Sequence, residues 1–296
     1  MINAAPDSYQ TLIDVDSLQA FMASGAKLSI VDVSFDLTDT DVGEHAFAAR
    51  HLPGAVYAHL DRDLSGAKTG RNGRHPLPSR ETFAHTLTRL GITPETQVVA
   101  YDAQGGIYAS RLWWMLRWMG HARVALLDGG LSAWGQARGA LTSTPDTAPK
   151  ARPGPDSDSG PSYPAQKSLA PSIDTAGLLS GMDRKLMIDA RAPERYRGEV
   201  EHLDPQAGHI PGAVNRFFKD NLQADGRFKP AELLAREFGA LLAATAPDQV
   251  VHQCGSGITA CHNLLVMEHV GLKGSLLYPG SWSEWCADPA RPMARG

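Results

Sequence analysis

A chain of 296 residues, 43% hydrophobic and 20% charged with a formal net charge of −4, has the balance of a globular protein with room for about two hydrophobic cores. That charge speaks against nucleic acid as the main partner, and no apolar run approaches the roughly 18 residues of a membrane span. The opening "MINAAPDSYQTLIDVD" has neither a basic n-region nor an apolar h-region, so the expectation is a cytoplasmic protein without a membrane partner.

In chain order, "LSIVDV" up to Val33 predicts a buried strand, and "HLPGAV" follows at 51–56. "SRETFAHTLTRLG" puts Phe83, Leu87 and Leu90 on one helical face, with Gly91 as the stop. "QVVAYD" predicts a second buried strand, "GIYASRLWWMLRWMG" a helix closed by Gly120, and "RVALLD" a third strand. Residues 142–166, "TSTPDTAPKARPGPDSDSGPSYPAQ", are dominated by Pro, Ser, Asp and Gly and predict a linker.

Beyond it the order recurs. "RKLMIDARA" passes through Asp189 and is followed by "HIPGAV" at 209–214. "KPAELLAREFGALLAA" predicts a helix started by Pro230, with Leu234, Phe238, Leu241 and Leu242 on one face. "QVVHQCGSGITACHNL" at 249–264 aligns with "QVVAYDAQGGIYASRL" at 97–112, and "TACHNLLVMEHVG" predicts a helix closed by Gly271. "LLYPGSWSEW" at 276–285 aligns with "LLDGGLSAW" at 126–134 with one residue of slack. Four matches in the same order indicate a duplicated domain. Its alternating strands and helices predict an α/β fold with a mainly parallel sheet.

The two copies differ where chemistry would sit. Strand "QVVAY" is followed by Asp102, strand "QVVHQ" by Cys254. Three cysteines, Cys254, Cys261 and Cys286, do not make a disulfide framework, and their spacing does not suit zinc, so neither a metal nor a cofactor is expected. Cys261 and Cys286 read as small buried hydrophobes. Cys254 lies at the carboxyl end of a predicted parallel strand, where ligands of such sheets bind. Gly255 and Gly257 allow a tight turn into a helix whose first N–H groups and dipole favour an anion, so a thiolate there is stabilised.

Two chemistries use such a cradle. Phosphoester hydrolysis through a phosphocysteine requires an arginine after five loop residues, and that position is Ala260. Sulfane-sulfur transfer requires only that the thiolate take sulfur from a donor, hold it as a persulfide and release it to an acceptor.

With "FAARHLPGA" (47–55), "DARAPERYRG" (189–198), "GHIPGAVN" (208–215), "CGSGITAC" (254–261) and "YPGSWSEW" (278–285), nearly the whole chain resembles the tandem-domain rhodanese and 3-mercaptopyruvate sulfurtransferase family. The resemblance implies two rhodanese-like domains, an inactive one at 9–141 and a catalytic one at 167–296, each a small mainly parallel sheet flanked by helices. It implies Cys254 as the persulfide-bearing nucleophile in a substrate-binding loop of Gly255, Ser256, Gly257, Ile258 and Thr259. Ser256 would relay a proton, polarised by His75 and Asp63, with Asp61 two residues from the latter. The substrate arginine falls on Arg195, with Arg191 and Arg197 as competing cations.

The neutral "CGSG" loop is the form associated with 3-mercaptopyruvate. Thiosulfate-preferring relatives place cations there, and mercaptopyruvate-type relatives often carry a second arginine before "GHIPG", where this chain has His202. The expectation is therefore sulfur transfer from 3-mercaptopyruvate to a thiol or cyanide, with a thioredoxin-like reductant among the acceptors. Thiosulfate as donor, and a persulfide carrier with little small-donor turnover, remain as alternatives.

Overall fold

The computed structural model describes residues 8–143 and 162–296, so the predicted linker at 142–166 lies largely outside the described residues. The chain divides into two compact units. One comprises Met1–Leu64, Pro78–Leu169 and Asp225–Arg227, the other Ser65–Leu77, Ala170–Ala224 and Phe228–Gly296. Residues 65–77 thus precede the linker in the chain and belong to the second unit.

The first unit is built on a sheet with every pairing parallel. Its strands are β1 (Leu12–Ile13), β2 (Leu28–Asp32), β3 (Val56–Tyr57), β4 (Gln97–Tyr101) and β5 (Val124–Leu127), in the order β1-β5-β4-β2-β3. The helices are α1 (Val15–Ala23), α2 (Val42–Ala49), α3 (Leu60–Asp63), α4 (Arg80–Arg89), α5 (Ile107–Trp118) and α6 (Gly130–Gln136). Three of them start where a side chain captures an otherwise unpaired N–H, α3 through His59 Nδ1, which accepts from Asp61 N at 3.1 Å. Asp14 accepts from Ser17 N at 2.7 Å and Ser79 from Thr82 N at 3.0 Å. All of β4 and β5 is buried, which is why both read as unbroken apolar runs rather than alternating ones. Phe83, Leu87 and Leu90 are buried as their spacing predicts, each large apolar side chain contributing about 1.5–3 kcal/mol.

The second unit repeats the plan. Its strands are β6 (Leu186–Asp189), β7 (Val214–Asn215), β8 (Val250–Gln253) and β9 (Leu276–Leu277), all parallel, in the order β7-β6-β8-β9. Read in the opposite direction this matches β5-β4-β2-β3. The register matches too: Asp32 faces Tyr101, and Asp189 faces Gln253. The outer pairing of β1 with β5 survives only as a parallel bridge between Ser172 and Leu277.

The second unit's helices are α7 (Thr175–Leu179), α8 (Pro193–Tyr196), α9 (Ala231–Leu242), α10 (Thr259–His269) and α11 (Ser281–Trp285). Leu234, Phe238 and Leu242 of α9 are buried, while Leu241 is half-buried at the margin of that face. Trp282, Trp285, Tyr278 and Val251 lie in the core of this unit. No described helix is long and apolar enough to cross a membrane. Among the described residues no cluster of His, Cys, Asp and Glu is arranged to hold a metal.

Candidate active site

Cys254 immediately follows β8, an interior strand of the second sheet. It is buried, as are Gly255, Ser256, Gly257 and Ile258, whereas Thr259, the first residue of α10, is half-buried. The loop is pinned to the start of α11. Cys254 N donates to Ser281 Oγ at 3.1 Å, Trp282 N donates to Cys254 O at 2.9 Å, and Ser283 N donates to Gly255 O at 2.9 Å. Gly257 has φ +76°, and a Cβ there would stand 2.4 Å from Pro279 O, so only glycine fits.

The corresponding loop of the first unit shows what this backbone does with an anion. Asp102, in the place of Cys254, accepts four backbone N–H bonds: Gln104 and Gly106 donate to Oδ1 at 2.9 and 2.8 Å, and Tyr108 and Ala109 donate to Oδ2 at 2.9 Å each. Burial dominates and raises this carboxyl, against the pull of the four donors. The same positions in the second loop are Ser256, Ile258, Ala260 and Cys261. Both loops have a left-handed glycine, Gly105 at φ +79° and Gly257 at +76°. They part at the next residue, where Gly106 has φ +87° and Ile258 −93°.

The histidine expected near Ser256 is there. His75 lies in the segment 65–77, is buried, and has Nδ1 2.8 Å from Ser256 Oγ. Asp63 lies in the first unit, at the end of α3. Its Oδ2 accepts from His59 N at 2.8 Å and its Oδ1 from Arg89 Nη2.

The three arginines of "DARAPERYRG" have separate environments. Arg191 is sealed in: its Nε donates to both Asp189 oxygens, its Nη2 to Asp189 Oδ2 at 2.6 Å and Gly208 O at 2.7 Å, and its guanidinium lies 5.0 Å from the Trp282 ring centroid. Burial pulls its pKa down, but the Asp189 carboxylate, with Glu201 and Cys254, raises it above the ordinary value. Arg197 is exposed and pairs with Glu199 at 2.7 Å. Arg195 binds Glu201 through Nη2 at 2.8 Å and Asp204 at 3.2 Å, and turns Nη1 toward Gly255. For Asp204 burial dominates and raises the carboxyl, against the pull of Arg74.

Two residues of this site were not anticipated. Ser281 holds the Cys254 amide from a left-handed backbone position, φ +53°. Its signal is the alignment with Gly130 of "LLDGGLSAW", which has φ +54°. Arg74 also pairs with Asp204, and its Nη2 stands 2.8 Å from where a Cβ of Gly255 would be. Its only sequence signal is adjacency to His75. Cys261 and Cys286 are buried: Cys261 Sγ donates to Gly257 O at 3.3 Å, and burial pushes the Cys286 thiol up to about 11.

The family model "Rhodanese-like domain" matches residues 14–137 and again 174–288. The chain is 45% identical over 273 residues to a Pseudomonas aeruginosa protein named "Probable 3-mercaptopyruvate sulfurtransferase", covering 91% of this chain and 93% of that one. It is 31% identical over 267 residues to the thiosulfate sulfurtransferase of Gallus gallus, covering 88% and 87%. The structure of a 3-mercaptopyruvate sulfurtransferase from Leishmania major superposes over 93% of this chain and 74% of that one, with a TM-score of 0.79 and 28% identity.

Proposed function

Because the chain belongs to the tandem-domain rhodanese and 3-mercaptopyruvate sulfurtransferase family, we propose that it moves sulfane sulfur from 3-mercaptopyruvate to a thiol or cyanide through a persulfide on Cys254. The thiolate attacks the sulfur of the donor. A sulfur–sulfur bond forms, the carbon–sulfur bond breaks, and its electron pair goes to the enolate of pyruvate. The donor's thiol proton ends on that carbon, leaving pyruvate and the Cys254 persulfide. The acceptor then attacks the outer sulfur and regenerates the Cys254 thiolate.

The observation that carries the choice of donor is the hydrogen bond between Ser256 Oγ and His75 Nδ1, 2.8 Å, two residues beyond the nucleophile. An enolate leaving group needs a proton, and this pair can hand one on. Sulfite, the leaving group from thiosulfate, needs none. The loop after Cys254 has no lysine or arginine of its own to attract a dianion. Asp63, which accepts from Arg89 and His59 N within the first unit, is the carboxylate proposed to polarise His75. Arg195 offers the donor carboxylate a charge. Gly255, Gly257, Ile258 and Thr259 form the wall around the transferred sulfur. A cytoplasmic location and a thioredoxin-like reductant as acceptor belong to the same reading.

Assay of both donors with one acceptor tests this. The expected result is a higher kcat/KM for 3-mercaptopyruvate, with Ser256→Ala lowering that value more than the thiosulfate value. Equal or greater efficiency with thiosulfate would overturn the donor assignment. Intact-mass measurement after donor treatment should show an added sulfur on the wild type and none on Cys254→Ala. Retention of the sulfur by that variant would remove Cys254 from the role.

A further inference from the structure

We infer that His262 is an acid-sensitive latch behind the Cys254 loop, a ring that must stay neutral for residues 216–221 to remain fastened to α10. That the latch governs sulfur transfer rests on the proposed reaction of Cys254; the latch itself does not. The cluster lies within the second unit. The His262 ring is buried, stacked on Phe228 with centroids 4.7 Å apart and edge-to-face with Phe218 at 5.5 Å. Beside it lie two buried carboxamides, Asn221 at the end of the short 3₁₀ helix Phe218–Asn221 and Asn263 on α10.

The direction of each bond among these groups is forced. Asn263 Nδ2 donates to Arg216 O at 2.9 Å, so its Oδ1 turns to Asn221 and accepts from Nδ2 at 2.7 Å. Asn221 Oδ1 accepts from Arg216 Nε and Nη2 at 3.2 and 3.0 Å, and a guanidinium has only donors to offer. The second Nδ2 hydrogen of Asn221 therefore points at His262 Nδ1, 3.1 Å away, which accepts. The neutral ring then carries its proton on Nε2. A proton on Nδ1 sets two donors against each other. Turning the Asn221 amide over gives no relief, because Nδ2 would oppose the guanidinium and Oδ1 would oppose Asn263 Oδ1, two conflicts in place of one.

The acid of the cluster, Glu237, is engaged by Arg216 Nη2 at 2.5 Å and Lys229 Nζ at 2.9 Å. The other titratable groups on the elements packed against α10 are Lys219, Asp220, Glu232 and Arg236, all exposed, and His252, buried against Met267 Sδ. On α10 itself, Glu268 accepts from Gly274 N at 3.3 Å and His269 ends the helix. The latch reaches the nucleophile's loop through the first turn of α10. Cys261, next to His262, donates from N to Ile258 O at 3.0 Å and from Sγ to Gly257 O at 3.3 Å. In the aligned copy, Asp63, Ser110 and Arg111 stand where Asn221, His262 and Asn263 are, so the histidine occurs only in the copy that carries Cys254. Once the segment opens, the ring titrates near its ordinary value of about 6.5, and opening takes up a proton below that pH. The latch is complete above about pH 6.5 and weakens as pH falls, by up to about tenfold per unit in the opening constant.

The test uses the full chain as wild type, His262→Asn, whose Oδ1 is an acceptor that does not titrate, and Asn221→Asp, a near-isosteric change that faces the ring with an acceptor. Nitrogen-15 NMR of the histidines should show wild-type His262 neutral and unprotonated at Nδ1, and protonated there in Asn221→Asp. A wild-type Nδ1 that carries the proton at neutral pH would overturn the assignment without recourse to any variant. Hydrogen exchange at residues 216–221, corrected for its intrinsic pH dependence, should accelerate by up to about tenfold per unit between about pH 6.5 and 5 in the wild type and stay flat in His262→Asn. The same dependence in both would place the proton elsewhere and sink the latch. Turnover of 3-mercaptopyruvate should fall with acid more steeply in the wild type than in His262→Asn. Coincident turnover profiles would remove the latch from control of the site. A wild type whose exchange follows the expected course but which does not turn over the donor would keep the latch and sink the sulfur-transfer reading.

Discussion

Ser281 carries a cost that its hydroxyl offsets. A non-glycine residue at φ +53° is disfavoured by about 1–2 kcal/mol, yet its Oγ accepts from Cys254 N and donates to Tyr278 O at 2.9 Å. Ser281→Ala should leave the buried Cys254 N–H unpaired, at about 1–3 kcal/mol, and keep the strain. Ser281→Gly loses the same bond but sheds the strain. Urea denaturation should therefore rank wild type above Gly above Ala, with the last two about 1 kcal/mol apart; equal stability of the two variants would show that the backbone there is unstrained.

His252, at the place of Ala100 in the first unit, is wholly buried, with Nε2 3.1 Å from Met267 Sδ and Nδ1 without a partner among the described residues. Burial pulls its pKa down to about 3. The unfolded histidine titrates near its ordinary value of about 6.5, so between about pH 6.5 and 3 the unfolded state binds the extra proton. Its contribution is complete above pH 6.5 and is lost as pH falls, by up to about 1.4 kcal/mol per unit. His252→Ala should flatten the fall in denaturation midpoint between pH 6.5 and 4.5, whatever its effect at neutrality. An unchanged slope would mean that this ring is solvated.

At the scale of elements, the strand–loop–helix unit is built twice around one buried side chain. In the first unit the anion is covalent: the Asp102 carboxylate fills the turn before α5. Asp102→Ala should leave four N–H groups without their acceptor and cost about 2–4 kcal/mol. Sulfate in the millimolar range should restore part of the loss in thermal midpoint, because an anion can enter the emptied turn. A variant as stable as the wild type, or indifferent to sulfate, would show that the turn does not depend on its anion. In the second unit the same place holds Cys254, and the left-handed turn at Gly257 survives, while Ile258 departs from the left-handed backbone of Gly106.

For the whole molecule, the proposed reaction uses one thiol in two units of one fold. Saturating donor should load one sulfur atom per chain by intact mass, and Cys261→Ser and Cys286→Ser should load the same. Two sulfur atoms per chain would bring another cysteine into the chemistry. For Cys286 that would run against the burial that raises its pKa to about 11 and keeps it protonated.

Much of this plan was legible in the amino-acid order. Strands β2, β4 and β5 were visible as short apolar and β-branched runs, β8 through its alignment with β4, and α4 and α9 because one face of a helix repeats every three to four residues. The duplication was visible because its blocks keep their order, and Cys254 stood out because its counterpart is Asp102. What tertiary structure alone decided is which distant polar groups meet. The segment 65–77 belongs with the second unit, so His75 bonds to Ser256 across 181 positions of sequence and Arg74 joins Arg195 on Asp204. Asp63, one residue before the end of the first unit's opening part, pairs with Arg89. Contacts between single polar side chains leave no periodic trace, since each depends on where a loop crosses another in space. The backbone angle that makes Ser281 a partner of the Cys254 amide is likewise imposed by the packing of Trp282 and Trp285 in the core that follows it, and residue type alone favours the opposite sign of φ.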